Sequence, residues 1–174
     1  MLEILDTAGS EQFASLQDLY IRNGEAFLLV FSLASLQSLL DLDPVHQQIL
    51  RFKTSPSKSR GNPPGAQGRV LPPPPPMVLV GNKADLDAGL REVAREQAED
   101  LARRWGCCAF VETSAKTGQG VADAFRAVVL KVVLQSSRQP PLFVSLFSMV
   151  IGTGHRCIRS EYNGNIRMEL NVSL

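Results

Sequence analysis

Met77-Val78-Leu79-Val80-Gly81-Asn82-Lys83-Ala84-Asp85 runs a short apolar strand into a polar turn. Three more apolar runs, Leu2–Asp6, Ala26–Leu33 and Cys108–Glu112, have the length and composition of buried strands. Helical patterns lie between them. Ser35–Phe52 puts Leu39, Leu42, Ile49 and Phe52 on one side. Arg91–Trp105 puts Ala94, Ala98, Leu101 and Trp105 at i, i+4, i+7 and i+11, with Glu99/Arg103 and Asp100/Arg104 as i,i+4 pairs on its other face. Gln119–Leu134 repeats the period with Val121, Phe125, Val128 and Val132, and a shorter helix is expected over about Glu11–Tyr20. Strands alternating with helices predict an α/β fold, a parallel sheet covered by helices on both faces. The residues after each strand then fall at its carboxyl edge, where such sheets bind ligands.

The bulk numbers agree with one globular domain. The chain has 174 residues, long enough for a sizeable core, with 44% hydrophobic and 20% charged residues. A net charge of +1 gives no case for binding nucleic acid or acidic lipid by bulk electrostatics. The three cysteines, Cys107, Cys108 and Cys157, are odd in number and form no C-x-x-C. They fit reduced thiols in a cytoplasmic protein better than a disulfide frame or a zinc site. Glu3 and Asp6 stand where a signal peptide would be basic and apolar. The apolar stretch Leu142–Ile151 is too short to span a bilayer. Two segments depart from the α/β pattern. Lys53–Pro76 is rich in Pro, Gly and Ser, with four basic residues and no acidic one, and reads as a disordered insertion. From Gln135 the helical period is lost, so residues 135–174 read as an atypical tail beyond a domain of residues 1–134.

Three turns carry chemistry. In Asn82-Lys83-Ala84-Asp85 the carboxylate can accept two hydrogen bonds from one ring edge. Guanine offers a ring N–H and an exocyclic amine side by side, and adenine does not. The Lys83 stem can lie on the base face, and the Asn82 amide can tie neighbouring loops together. Alone, this motif reads as a solvated turn after a strand. Glu112-Thr113-Ser114-Ala115-Lys116 follows the next strand at the same edge, and a backbone N–H there can bond the guanine carbonyl. By itself it is a strand-to-helix turn with Thr113 or Ser114 near an N-cap. Asp6-Thr7-Ala8-Gly9 ends the first strand with an acidic residue and a glycine turn. Three such motifs in order, each after a parallel strand, reinforce one another.

With these motifs the chain resembles the Ras superfamily of small GTPases. Asp6-Thr7-Ala8-Gly9-Ser10-Glu11-Gln12-Phe13, Asp18-Leu19-Tyr20-Ile21-Arg22-Asn23-Gly24 and Pro44 are most similar to its Rap branch. The resemblance covers about Leu2–Phe52 and Met77–Leu134. It implies a P-loop-NTPase-type fold, GTP and GDP as ligands with Mg²⁺, and GTP hydrolysis as a signalling switch. It implies that Asp6 holds Mg²⁺ through a water and that Thr7 and Ala8 line the site. Gly9 would give its N–H to the γ-phosphate and act as the hinge of switch II. Asn82, Lys83 and Asp85 would read guanine while Ser114, Ala115 and Lys116 close over it. Most relatives carry a glutamine directly after this glycine to orient the attacking water. Ser10 stands there, and Gln12 is not its equivalent. Rap proteins carry threonine, so Ser10 implies slow intrinsic hydrolysis and a partner that supplies the missing group. Effector, exchange and GTPase-activating proteins are the partners implied, with the chain a monomer.

The family's phosphate loop, G-x-x-x-x-G-K-[ST], does not occur in these residues, and Gly152-Thr153-Gly154-His155-Arg156 has the wrong spacing. Switch I and its Mg²⁺-binding threonine have no counterpart. The chain is read as N-terminally truncated relative to the family, lacking its first strand and helix, and as defective in nucleotide binding. In the family that strand lies between the ones matching Leu2–Asp6 and Ala26–Leu33. The expectation is a sheet open at its middle and a poorly folded fragment. The alternative is that the β-rich stretch Leu142–Ile151 takes the vacant slot, although no sequence signal fixes its register. A second function class is a non-catalytic interaction protein, acting through the switch II region Ser10–Tyr20 or through Arg69-Val70-Leu71-Pro72-Pro73-Pro74-Pro75-Pro76. The latter has a basic residue ahead of P-x-x-P and could dock on SH3, WW or EVH1 grooves, or be a solvated linker. Many Ras relatives end in a prenylated C-a-a-X box at the inner face of the plasma membrane. Asn171-Val172-Ser173-Leu174 is not one, and a cytoplasmic location is expected.

Overall fold

The computed structural model describes residues 4–7, 14–55, 72–136 and 147–151. Five strands, β1 (Ile4–Thr7), β2 (Ala26–Ser32), β3 (Met77–Asn82), β4 (Ala109–Thr113) and β5 (Phe147–Ile151), form one sheet in the order β1-β5-β2-β3-β4. All its pairings are parallel. The helices are α1 (Ala14–Asn23), α2 (Leu36–Leu40), α3 (Leu42–Thr54), α4 (Arg95–Trp105) and α5 (Val121–Ser136).

Strand sequence explains the layers. Along β2 and β3 alternate residues point to opposite faces, and both sets are apolar. Phe27, Leu29, Phe31, Met77 and Leu79 pack on Ile21 of α1, Leu39 of α2, Leu42 and Ile49 of α3, and Ala98 and Ala102 of α4. Ala26, Leu28, Val78 and Val80 pack on Val121, Ala124, Phe125, Val128 and Val132 of α5. The expected parallel α/β sheet with helices on both faces is therefore the fold found.

The expected opening in the middle of the sheet is not found. Phe147–Ile151 fills it, with Met149 opposite Asp6 on one side and Leu28 on the other. Chain topology accounts for this. From β1 to β4 the chain advances one way across the sheet, with its crossover helices on one face. It then returns through α5 on the other face. Reversing both direction and face keeps a single crossover hand. A sixteen-residue helix is about 24 Å long, enough to carry the chain back along the strands to their amino ends. The next strand can then enter parallel to its neighbours.

The strands end within a residue or two of the sequence reading, and the helix boundaries differ more. The helix predicted over Ser35–Phe52 is divided at Asp41 into α2 and α3. Pro44 has no N–H to give the Leu40 carbonyl and its ring crowds that carbonyl, so it belongs in a first turn. Helix α3 continues through Lys53 to Thr54, and residues 56–71 of the predicted insertion lie outside the described residues. Helix α4 starts at Arg95 rather than Arg91, because the Glu92 and Val93 amides bond the Leu33 carbonyl at 2.9 and 3.2 Å and Val93 is buried in the core. On α4, Glu99 pairs with Arg95 at 2.8 Å and Asp100 with Arg103, not with the predicted Arg103 and Arg104. Helix α5 is displaced two residues, to Val121–Ser136, with its predicted apolar face buried. The predicted Glu11–Tyr20 helix is found as α1, and residues 11–13 lie outside the described residues, as do Cys157 and Gly152–Arg156. No helix among the described residues is long and apolar enough to cross a membrane.

One buried polar contact ties α3 to α4. His46 stacks on Trp105 with ring centroids 4.5 Å apart and planes 8° from parallel. Its Nε2 lies 3.3 Å from the Trp105 carbonyl, while Nδ1 is buried without a hydrogen-bond partner. Burial lowers the His46 pKa, against smaller upward pulls from that carbonyl and from Asp43. A second ring proton would have no acceptor. The stability held by neutral His46 is thus present above about pH 6.5, the ordinary value, and is lost as pH falls through the lower folded value. Urea denaturation across this range should show stability declining with acid, and a shallower decline for His46→Gln. Equal slopes for the two proteins would contradict the assignment.

Candidate functional site

The carboxyl ends of β3 and β4 meet side by side, with Asn82 opposite Thr113 in register. Strand β3 stops because the backbone turns sharply at Lys83, whose φ of 71° lies in the left-handed region that non-glycine residues rarely adopt. Neighbours hold this turn from both sides. The Ala84 amide bonds the Thr113 carbonyl at 2.9 Å, the Leu86 amide bonds the Lys83 carbonyl at 3.1 Å, and the Asn82 carbonyl accepts from Leu33 at 2.9 Å. A strained residue persists where its surroundings over-determine it, and such residues cluster at ligand sites.

Side chains then lock the two loops together. Asn82 is buried, and its Oδ1 accepts from the Ala115 amide at 3.0 Å and faces Thr113 Oγ1 at 3.4 Å. Ser114 is fully buried and donates its hydroxyl to Asp85 Oδ1 at 2.6 Å while accepting from the Thr117 amide at 3.2 Å. The loop closes on itself through Gly118 N–H to the Ser114 carbonyl, 2.8 Å, and Ser114 N–H to the Gln119 carbonyl, 2.9 Å. Gly120 makes this closure possible. Its φ is +70°, and a Cβ there would sit 2.2 Å from the Glu112 carbonyl oxygen.

Asp85 is exposed at the mouth of this assembly. Its carboxyl is held below the ordinary carboxylate value, chiefly by the Ser114 hydrogen bond, with smaller help from its own backbone amide, Lys116 and Lys83. The arrangement is an ionised, oriented carboxylate on a rigid edge, with Lys83 and the exposed Lys116 beside it. It can accept two hydrogen bonds from one edge of a planar ring.

Of the residues singled out from sequence, the structure brings Asn82, Lys83, Asp85, Ser114, Ala115 and Lys116 into one cluster. Asp6 and Thr7 end β1 at the same edge of the sheet, three strand spacings from β3, or about 14 Å. Ala8, Gly9, Ser10 and Gln12 lie outside the described residues. No group of three or more His, Cys, Asp or Glu that could hold a metal occurs among the described residues. Sequence reasoning missed Arg91 and Gly120. Nothing in the linear pattern marked Arg91, and Gly120 was hidden in a glycine-containing turn of ordinary appearance.

The model of the Ras family matches residues 1–134. This chain belongs to the Ras family. The match spans β1 to α5 and includes both loops of the assembled edge, so the chain is a small GTPase of the Ras type by descent. Members of the family generally bind GTP and GDP with Mg²⁺, and work through regulators and effectors.

Removing the Ser114 hydroxyl should free the Asp85 carboxylate. Ser114→Ala is expected to move the Asp85 pKa up toward its ordinary 3.8, read from the carboxyl carbon resonance in an acid titration. An unmoved pKa would show that the short contact does not orient the carboxylate.

Proposed function

We propose that this chain is a Rap-like member of the Ras family that reads guanine at the β3–β4 edge and, through these 174 residues alone, binds GTP and GDP weakly. The observation that supports this is the paired contact Asn82–Ala115 and Ser114–Asp85, which ties the two loops together and orients the Asp85 carboxylate. Pre-formed polar groups at the carboxyl edge of a parallel sheet are what a purine base needs for selective binding. Asp85 would accept from the guanine ring N–H and exocyclic amine, Ala115 N–H would meet its carbonyl, and the Lys83 and Lys116 stems would flank the ring. By family resemblance Asp6 would hold Mg²⁺ through a water, and the ion would neutralise phosphate charge when bound.

No G-x-x-x-x-G-K-[ST] loop is among these 174 residues, so on their own they would bind nucleotide through the base side. The lysine and backbone cradle of such a loop supply ~5 charge-assisted hydrogen bonds at ~1.5–3 kcal/mol each, roughly 7–15 kcal/mol or about five to ten decades of affinity. Ser10 in place of the water-orienting glutamine further reduces hydrolysis on this reading. The chain then acts as a guanine-sensitive, hydrolysis-poor member of its family in the cytoplasm.

One observation favours a second reading, a non-catalytic interaction protein. Pro72, Pro73 and Pro74 are exposed and belong to no helix or strand, as a segment docking on an SH3, WW or EVH1 groove must be. Switch II, Ser10–Tyr20, is the other surface this reading would use.

Calorimetric titration of the full chain with GDP and with ADP tests the main reading. GDP should bind in the micromolar range or weaker, and ADP more weakly still. Sub-micromolar GDP binding would overturn the loss on the phosphate side, and equal binding of GDP and ADP would overturn base recognition.

A further inference from the structure

We propose that Arg91 is a positioning residue for base recognition, holding the Ala84–Asp85 peptide so that the Asp85 carboxylate faces the ring edge. The inference rests on the reading that the β3 and β4 loops bind guanine. Arg91 stands outside both loops, in the extended link between the 3₁₀ turn Ala88–Leu90 and α4. Its guanidinium reaches back to each of them. Nη2 donates to the Ala84 carbonyl at 2.8 Å, and Nη1 donates to Glu112 Oε2 at 3.3 Å. Glu112 lies in β4, two residues before Ser114, and Ala84 lies directly before Asp85.

The Ala84 carbonyl belongs to the peptide plane that leads into Asp85. Fixing that oxygen fixes the plane, and with it the Asp85 N–Cα bond from which the side chain is carried. The Ala84 N–H is held separately by the Thr113 carbonyl at 2.9 Å. Ala84 is thereby clamped on both polar groups, immediately after the strained turn at Lys83. Ser114 then only has to choose a rotamer for a carboxylate whose origin Arg91 has set.

Only an arginine suits this place. A planar fork can reach a carbonyl and a carboxylate with two separate nitrogens, whereas a lysine offers a single point charge. The pair is largely withdrawn from solvent, with the Arg91 side chain 27% and the Glu112 side chain 15% exposed. Arg91 Nε and Glu112 Oε1 are buried with no hydrogen bond, and Arg95 Nη1 approaches Glu112 Oε1 at 3.7 Å. Keeping two such atoms unsatisfied has a cost, and the geometry it secures is that of the two loops.

Two measurements on the full chain test this, with Arg91→Ala, Arg91→Lys and Glu112→Gln as variants. The first needs no ligand. Amide and carboxyl resonances of Asp85 should shift in Arg91→Ala, with the carboxyl pKa moving up as the Ser114 contact loosens. Unchanged Asp85 resonances would overturn the proposal. The second compares binding of guanosine and inosine monophosphates by chemical-shift titration, because inosine lacks the exocyclic amine. The native chain should prefer the guanine nucleotide by about tenfold or more, the worth of one hydrogen bond to a charged group. Arg91→Ala should bring that ratio close to one, and Arg91→Lys should restore part of it. An unaltered ratio in Arg91→Ala would overturn the positioning role while leaving base recognition standing. No preference in the native chain would instead overturn base recognition, and the ligand-free resonances would still decide whether Arg91 sets Asp85. Should Arg91→Ala fail to fold, Arg91→Lys and Glu112→Gln are judged by the same two readouts.

Discussion

Two parallel strands, β1 and β2, stand two strand spacings apart, and the backbone groups facing the space between them must be paired. An open slot in the middle of a sheet strands donors and acceptors on both sides, and each unpaired buried group costs about 1–3 kcal/mol. The rest of the molecule depends on how that demand is met. Strand β5 meets it by pairing in parallel with β2 over its five residues and with β1 over four of them, Phe147–Val150. With the slot closed, β2 and β3 are interior strands, and helices can cover them on both faces.

That frame is what makes the ligand edge rigid. Asn82 and Thr113 are neighbours because β3 and β4 are held in register, and the register is a property of the whole sheet. Buried Asn82 bonds the Ala115 amide, and buried Ser114 bonds Asp85. The loops after β3 and β4 are thus built apart from the slot that β5 fills, which lies two strand spacings from β3.

Much of this was legible in the sequence because it was local. The apolar runs of β2 and β3 carry their own burial on both faces, and α5 carries its face in Val121, Phe125, Val128 and Val132. The guanine-type loops stood out because each polar turn follows a strand directly. What escaped was non-local. Nothing between Gln135 and Ile151 records that Met149 will lie between Asp6 and Leu28, since strand register comes from neighbours far away in the chain. Arg91 likewise becomes meaningful only when the fold brings Ala84 and Glu112 within reach of one guanidinium. The division at Asp41 was readable in principle from Pro44, but a continuous apolar face masked it.

Phe147–Ile151 is an interior strand of the sheet, between β1 and β2. Amide hydrogen exchange on the intact chain tests it most directly, since only ladder hydrogen bonds in a stable sheet protect such amides. Amides of Phe147–Ile151 are expected to exchange as slowly as those of Ala26–Ser32. Exchange at the rate of unstructured chain in Phe147–Ile151, with Ala26–Ser32 and Met77–Asn82 still protected, would contradict it.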